Sequence, residues 1–149
     1  MRTKKQQQHI PRFNLSPLAT ASIYIRDMEG VQLAAKEHDL HRPHRDQHHL
    51  LILLKAGEIA FMVDFEHLQL KGPAIAMIFP DQVHHMVRSS QPEGYSLTFE
   101  TAIIAPPLQK ALKDPVALAA RWTGDAVLLA QVFQLGDLLY QLKSASPKA

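Results

Sequence analysis

The 149-residue chain has no cysteine. That excludes disulfide staples and thiolate sites, and it fits a reducing, cytoplasmic setting. A charge imbalance is lacking too. The 16 basic and 14 acidic side chains leave a net charge of +2, too small to argue for nucleic-acid binding by this chain. No apolar run approaches the length of a membrane span. The basic start, residues 1–13, lacks the hydrophobic stretch of a signal peptide. Catalytic patterns are also missing: there is no Ser-His-Asp order, no glycine-rich phosphate loop and no pair of placed glutamates. There is no internal repeat, and no low-complexity tract beyond Gln6-Gln7-Gln8.

What is present is a globular composition, 46% apolar and 20% charged, in a chain of one domain's length that can bury a core unaided. Residues 1–21 are basic, polar and interrupted by Pro11 and Pro17, and read as an arm rather than a packed element. Its Arg2, Lys4, Lys5 and Arg12 suit a solvated tail, with phosphate contact as the alternative. Residues 22–26 alternate as a half-buried strand does, 27–30 read as a turn, and 31–37 as a second strand. Residues 50–54 form an apolar run ended by Ala56-Gly57. Residues 58–63 and 67–70 make a hairpin around Asp64-Phe65-Glu66, and 74–79 follow the turn at Lys71-Gly72-Pro73. Residues 84–88 and 95–100 read as two strands separated by a polar loop through Pro92 and Gly94. About eight short strands with frequent turns predict a sandwich or barrel over residues 22–104.

The period then becomes helical over residues 105–144. A short turn covers 108–112, and Asp114-Pro115 has the chemistry of a helix start. Residues 123–144 form a long helix with two apolar stripes. Leu128, Val132, Leu135, Leu139 and Leu142 step by four and three, as a coiled-coil seam does, and are the expected homodimer interface. Leu129, Phe133, Gly136 and Tyr140 form the adjacent stripe, expected on the barrel. Trp122 reads as packing between helices. Residues 145–149 look like the start of a linker.

Two histidine clusters flank the apolar core of the strand region, one from His41 to His49 and one at His84 and His85. His44, Asp46, Leu50 and Gly57, followed by the run Pro80-Asp81-Gln82-Val83-His84, resemble the two motifs of the cupin barrel. Their order, with Phe61 to Leu70, Gly72 and two closing helices, is similar to the N-terminal sensor domain of AraC-type transcription regulators. The resemblance covers roughly residues 22–144. It implies a mainly β fold, a cupin-like double-stranded β-helix or jelly-roll barrel followed by C-terminal helices that carry the dimer contact. It also implies a cytoplasmic, non-enzymatic effector-binding domain that touches DNA only through a helix-turn-helix domain absent from these 149 residues. The sequence departs from the cupin pattern at Leu50, where a ligand glutamate is usual, and at Asp81, where glycine is usual.

Barrel mouths bind ligands, and alternation nominates Tyr24, His44, Phe61, Phe79, His84 and Tyr95 as lining residues for a small-molecule effector. Arg26 suits a ligand carboxylate or a surface ion pair. No cofactor is expected. If a divalent metal binds, His44, Asp46 and His84 are its ligands, with His48 and His49 nearby. The alternatives are a metal-dependent cupin enzyme, a dioxygenase or isomerase, and a stand-alone small-molecule-binding cupin. His9, His38, His41, His67 and His85 show no usable pattern.

Overall fold

The computed structural model describes residues 10–14, 23–38, 40–107 and 126–145. In chain order the elements are β1 (Arg12–Phe13), β2 (Ile23–Asp27), α1 (Met28–His38), β3 (Arg45–Asp46), β4 (His49–Val63), β5 (Glu66–Lys71), β6 (Ala74–Ile78), β7 (His84–Phe99) and α2 (Ala126–Ala145). The expected short helix at 108–112, the helix start at Asp114-Pro115 and Trp122 lie outside the described residues.

Two long antiparallel strands, β4 and β7, pair along nearly their whole length. The first half of β4 also pairs with β6 and the second half with β5. Strand β2 adds to the second half of β7, and His44 bridges to His84 at its start. The result is the expected cupin-like β-barrel followed by a C-terminal helix. Its core gathers Ile52, Leu54, Ile59, Phe61, Leu70, Ile78 and Met86. These positions alternate on each strand, so one face of every strand points inward.

Four local expectations are corrected. Residues 31–37 are not a strand but most of α1. Asp27 caps that helix: its Oδ1 accepts the Gly30 N–H at 2.7 Å, which is N-cap geometry. Ala34, Ala35, Lys36 and Glu37 are good helix formers that outweigh the strand-like pairing of Val31 with Leu33. Residues 27–30 are accordingly a strand end and a first helical turn. Ala56-Gly57 does not end the strand; the pairing slips there and β4 bends through a bulge. Residues 84–88 and 95–100 are one strand, because the loop between them pairs with that bulge: Glu93 with Ala56, Ser90 with Glu58. Gly57 and Gly94 have φ of 82° and 140°, and a Cβ on either would run into the Gln91 or the Leu53 carbonyl.

The N-terminal arm is partly tied down as well. Strand β1 pairs in parallel with β3, and Arg12 forms an ion pair with Asp81 at 2.7 Å. The turn at Asp64-Phe65 has positive φ at both residues, 48° and 69°, as a tight two-residue hairpin requires. Asp64 then accepts the Val83 N–H at 3.0 Å, which fixes the loop leading to His84.

Helix α2 lies on the outer face of the barrel. Leu129 is 4% exposed, and Gly136 is buried against Leu53 and Tyr95. The other stripe is open: Leu128, Leu135, Leu139 and Leu142 are exposed and Val132 is half-buried. None of the helices among the described residues is long and apolar enough to cross a membrane.

Candidate ligand-binding site

A cavity of about 710 Å³ opens inside the barrel. Its depth is apolar, from Leu50, Ile52, Ile59, Phe61 and Met86. One wall carries Asp46, His44, His48 and His84. The mouth carries Tyr24, Arg26 and Asp27 from β2 and Tyr140 and Lys143 from α2. Of the residues expected to line a ligand site, Tyr24, His44, Phe61 and His84 do line it.

Phe79 and Tyr95 do not. Ala74, Ala76 and Ile78 of β6 point inward, so Phe79 falls on the opposite parity; its ring lies edge-on to His49 at 5.6 Å, and His49 stacks on Phe99 at 5.0 Å. Tyr95 pairs with Leu53 on the outer face and meets α2. Its hydroxyl donates to Asp137 Oδ1 at 2.5 Å, and the same oxygen accepts Lys55 Nζ. Burial, and then the Asp137 carboxylate beside it, push the Tyr95 phenol up to about 12.

The histidine wall is ordered by the backbone. His44 and His84 form a bridge in which each backbone N–H donates to the other's carbonyl, at 3.0 and 2.9 Å. Their rings then meet with centroids 4.2 Å apart. His44 Nδ1 lies 2.8 Å from the Arg42 carbonyl and His84 Nδ1 3.0 Å from the Gln82 carbonyl. A carbonyl only accepts, so Nδ1 carries a proton in both rings, and a ring in its neutral form presents a bare Nε2. His84 Nε2 stands 3.3 Å from Asp46 Oδ2, and His48 Nε2 stands 3.7 Å from the same oxygen. A bare ring nitrogen facing a carboxylate oxygen needs a proton or a cation between them.

Burial opposes ionisation of Asp46, yet His84, His48 and His44 around it outweigh burial and hold its carboxyl below the usual range. Burial pushes His44 and His48 down, with His84 adding to the effect on both. His49 is lowered by burial and then by His48. Neutral imidazoles beside an ionised carboxylate are the forms that bind a divalent ion. The donor atoms of His44, Asp46 and His84 lie within 4.8 Å of one another, and all three residues are buried. Ring N–H groups held by carbonyls are the usual outer support of such ligands. The set therefore fits a divalent metal, with apolar Leu50 where a further ligand is usual.

Several lining residues escaped the sequence reading. Ile59 follows from alternation with Phe61, whereas the apolar run at 50–54 does not mark Leu50 and Ile52 as its inward face. Phe13 arrives only through the β1–β3 pairing, and Tyr140 and Lys143 only through the docking of α2, neither of which leaves a local signal.

The bent paired strands, the enclosed cavity and the helix laid on the outside define a cupin-like domain. The family model described as the AraC-like ligand binding domain matches residues 29–147, and the chain belongs to that family. Among curated proteins, none matches the chain.

Proposed function

We propose that this chain is the effector-binding and dimerisation domain of an AraC-type transcription regulator. A small molecule binds inside the barrel, and DNA is met through a helix-turn-helix domain outside these 149 residues. The observation that carries the reading is the cavity itself: about 710 Å³, apolar in depth and polar at wall and mouth, the size and chemistry of a small-molecule site. The family match supports it. Helix α2 joins the cavity mouth, through Tyr140 and Lys143, to the exposed leucine stripe on the same helix. Occupancy of the cavity can thereby bias how two copies meet.

The test is a thermal-shift screen of small molecules against the chain and against Ile52→Trp, which obstructs the apolar depth of the cavity. Compounds that raise Tm in the parent and not in the obstructed variant support the reading. Hits that act equally on both place binding elsewhere and count against it.

One observation favours a second reading, a metal-dependent cupin: the convergence of His44, Asp46 and His84. Those residues would hold a divalent ion, which supplies Lewis acidity and open positions for oxygen ligands. Elemental analysis of protein purified without chelators separates the readings. A stoichiometric transition metal favours the second, and its absence in metal-supplemented preparations removes it.

A further inference from the structure

Two cations that line the cavity contact the same ring, and among the described residues neither has a carboxylate partner. The Arg26 guanidinium carbon lies 5.0 Å from the centroid of the Tyr24 ring, and Lys143 Nζ lies 4.2 Å from the same centroid. Lys143 also donates to the Ile25 carbonyl at 2.6 Å. Among the described residues, Arg26 makes no hydrogen bond or ion pair; the Tyr24 ring is its one contact of this kind. Its N–H donors therefore face the cavity without an acceptor, although Arg26 is half-buried.

The cavity's two carboxylates do not answer this charge. Asp27 is engaged at both oxygens, by the Gly30 N–H at 2.7 Å and by the Tyr140 hydroxyl at 3.0 Å. Asp46 stands among the histidines, its Oδ2 3.3 Å from His84 Nε2 and 3.7 Å from His48 Nε2. A second unmet group lines the same cavity: His48 is 7% exposed and its Nδ1 has no hydrogen-bond partner. Two like charges beside one ring repel, and an anion bound between them would relieve that repulsion.

We propose that the effector is an organic monocarboxylic acid, its carboxylate held between Arg26 and Lys143 and its apolar body inserted against Leu50, Ile52, Ile59 and Phe61. The proposal rests on the ligand-binding reading given above and narrows it to a chemical class. A planar guanidinium matches a carboxylate through two parallel N–H bonds, and the ammonium adds charge without geometric demand. Ser96 pairs with Arg26 across the strands and also lines the cavity, so a hydroxyl stands beside the guanidinium. The apolar depth selects an acid with a hydrocarbon or aromatic body over a bare inorganic anion. Because Lys143 belongs to α2 and Arg26 to β2, the bound carboxylate ties the helix to the barrel edge.

The experiment is calorimetric titration of the full chain with octanoate, benzoate and phenylacetate, each beside its primary amide, and with inorganic phosphate. At least one acid should bind, and its amide should bind about 10–100-fold more weakly. Arg26→Gln should abolish the preference for the acid over its amide, and Lys143→Gln should reduce it. Circular dichroism of both variants checks that the fold persists. Amides binding as tightly as acids overturn the proposal, as does a preference that survives in Arg26→Gln. Phosphate matching the acids overturns it by showing a bare anion site. Silence from every acid in the millimolar range overturns it too. A neutral compound that binds the parent and not Ile52→Trp leaves the ligand-binding reading standing while this one falls.

Discussion

Gly136 of α2 rests directly on Leu53 of β4: a Cβ on that glycine would sit 3.0 Å from Leu53 Cδ1 and 3.1 Å from Tyr95 Cδ2. This explains a glycine inside a helix, where it costs about 1 kcal/mol relative to alanine. Close approach of helix and barrel is what the missing side chain provides. Gly136→Val should overpack this contact and lower stability by about 1–3 kcal/mol, read from urea unfolding. An unchanged or raised midpoint would mean that α2 can stand off the barrel at no cost.

Asp137 holds the same helix through charge. It accepts from Tyr95 and Lys55, and hydrogen bonds from both keep its carboxyl below the usual range. Asp137→Asn should cost about 1 kcal/mol or less, because the Lys55 and Asp137 side chains are 34% and 39% exposed and solvent screens the pair. A second readout is independent of stability. Burial is the larger cause of the raised Tyr95 phenol and the Asp137 charge the lesser, so the tyrosinate titration should move only part of the way down from about 12. A Tyr95 titration that does not move at all would show that the carboxylate is not its partner in solution.

Acid should destabilise the domain earlier than its carboxylates alone predict. His44, His48 and His49 are all lowered, chiefly by burial, from an ordinary value of 6.5. A histidine whose folded pKa is depressed binds its proton more readily unfolded. Its contribution is therefore complete above pH 6.5 and declines as pH falls through that value towards the folded pKa. Urea midpoints measured with a chelator present should be level above neutrality and fall through the mildly acidic range. A His49→Gln variant should flatten part of that fall. Midpoints that stay level until the carboxylates titrate would show these rings protonate as easily folded as unfolded.

How much of this was legible follows from parity. Phe61 was nominated by alternation, which extends to Ile59, but residues 50–54 are apolar throughout, so nothing in that run marks Leu50 and Ile52 as its inward face. The meeting of His44 with His84 was readable from the cupin-like spacing. Parity fails wherever the ladder slips. Reading residues 84–88 and 95–100 as separate strands lost the count, which runs from His84 and Met86 to Ser96 and Thr98 inward and leaves Tyr95 outside against α2, whereas in β4 the shift at residues 54–58 moves the inward set from Leu50 and Ile52 to Ile59 and Phe61. Pro92 and Gly94 are breakers in isolation, yet here they sit inside one strand because the facing strand bends with them. The Asp27 carboxylate looks the same before a turn and before a helix, and only the hydrogen bond to Gly30 distinguishes them. Both stripes of the long helix were visible, with the Gly136 stripe now seen on the barrel. That the end of α2 reaches the cavity mouth depends on tertiary docking and left no trace in the periodicity.

The open stripe on that helix leads to the last prediction. Leu128, Leu135, Leu139 and Leu142 are 39%, 60%, 40% and 56% exposed, and with half-buried Val132 they follow one another at four- and three-residue steps. A continuous leucine row in water is an aggregation liability for a monomer, and a two-fold partner hides it with the same residues on both sides. The three-four stepping is that of a helix seam, so an antiparallel or parallel α2 pair can interlock these side chains. Leu129 and Gly136 pack the neighbouring stripe on the barrel, and Asp137, Tyr140 and Lys143 bond to it, none of them in the leucine row. Charge placed at Leu135 and Leu139 should therefore disrupt association and spare the fold. Burying each leucine contributes about 1.5–3 kcal/mol, so Leu135→Glu with Leu139→Glu should weaken the dimer by well over tenfold. Sedimentation should find the parent chain dimeric and the double variant monomeric, with the same urea midpoint in the variant as in dilute parent. A parent that sediments as a monomer, or a double variant that unfolds rather than dissociates, would assign both stripes to the domain's own core and end the dimer reading.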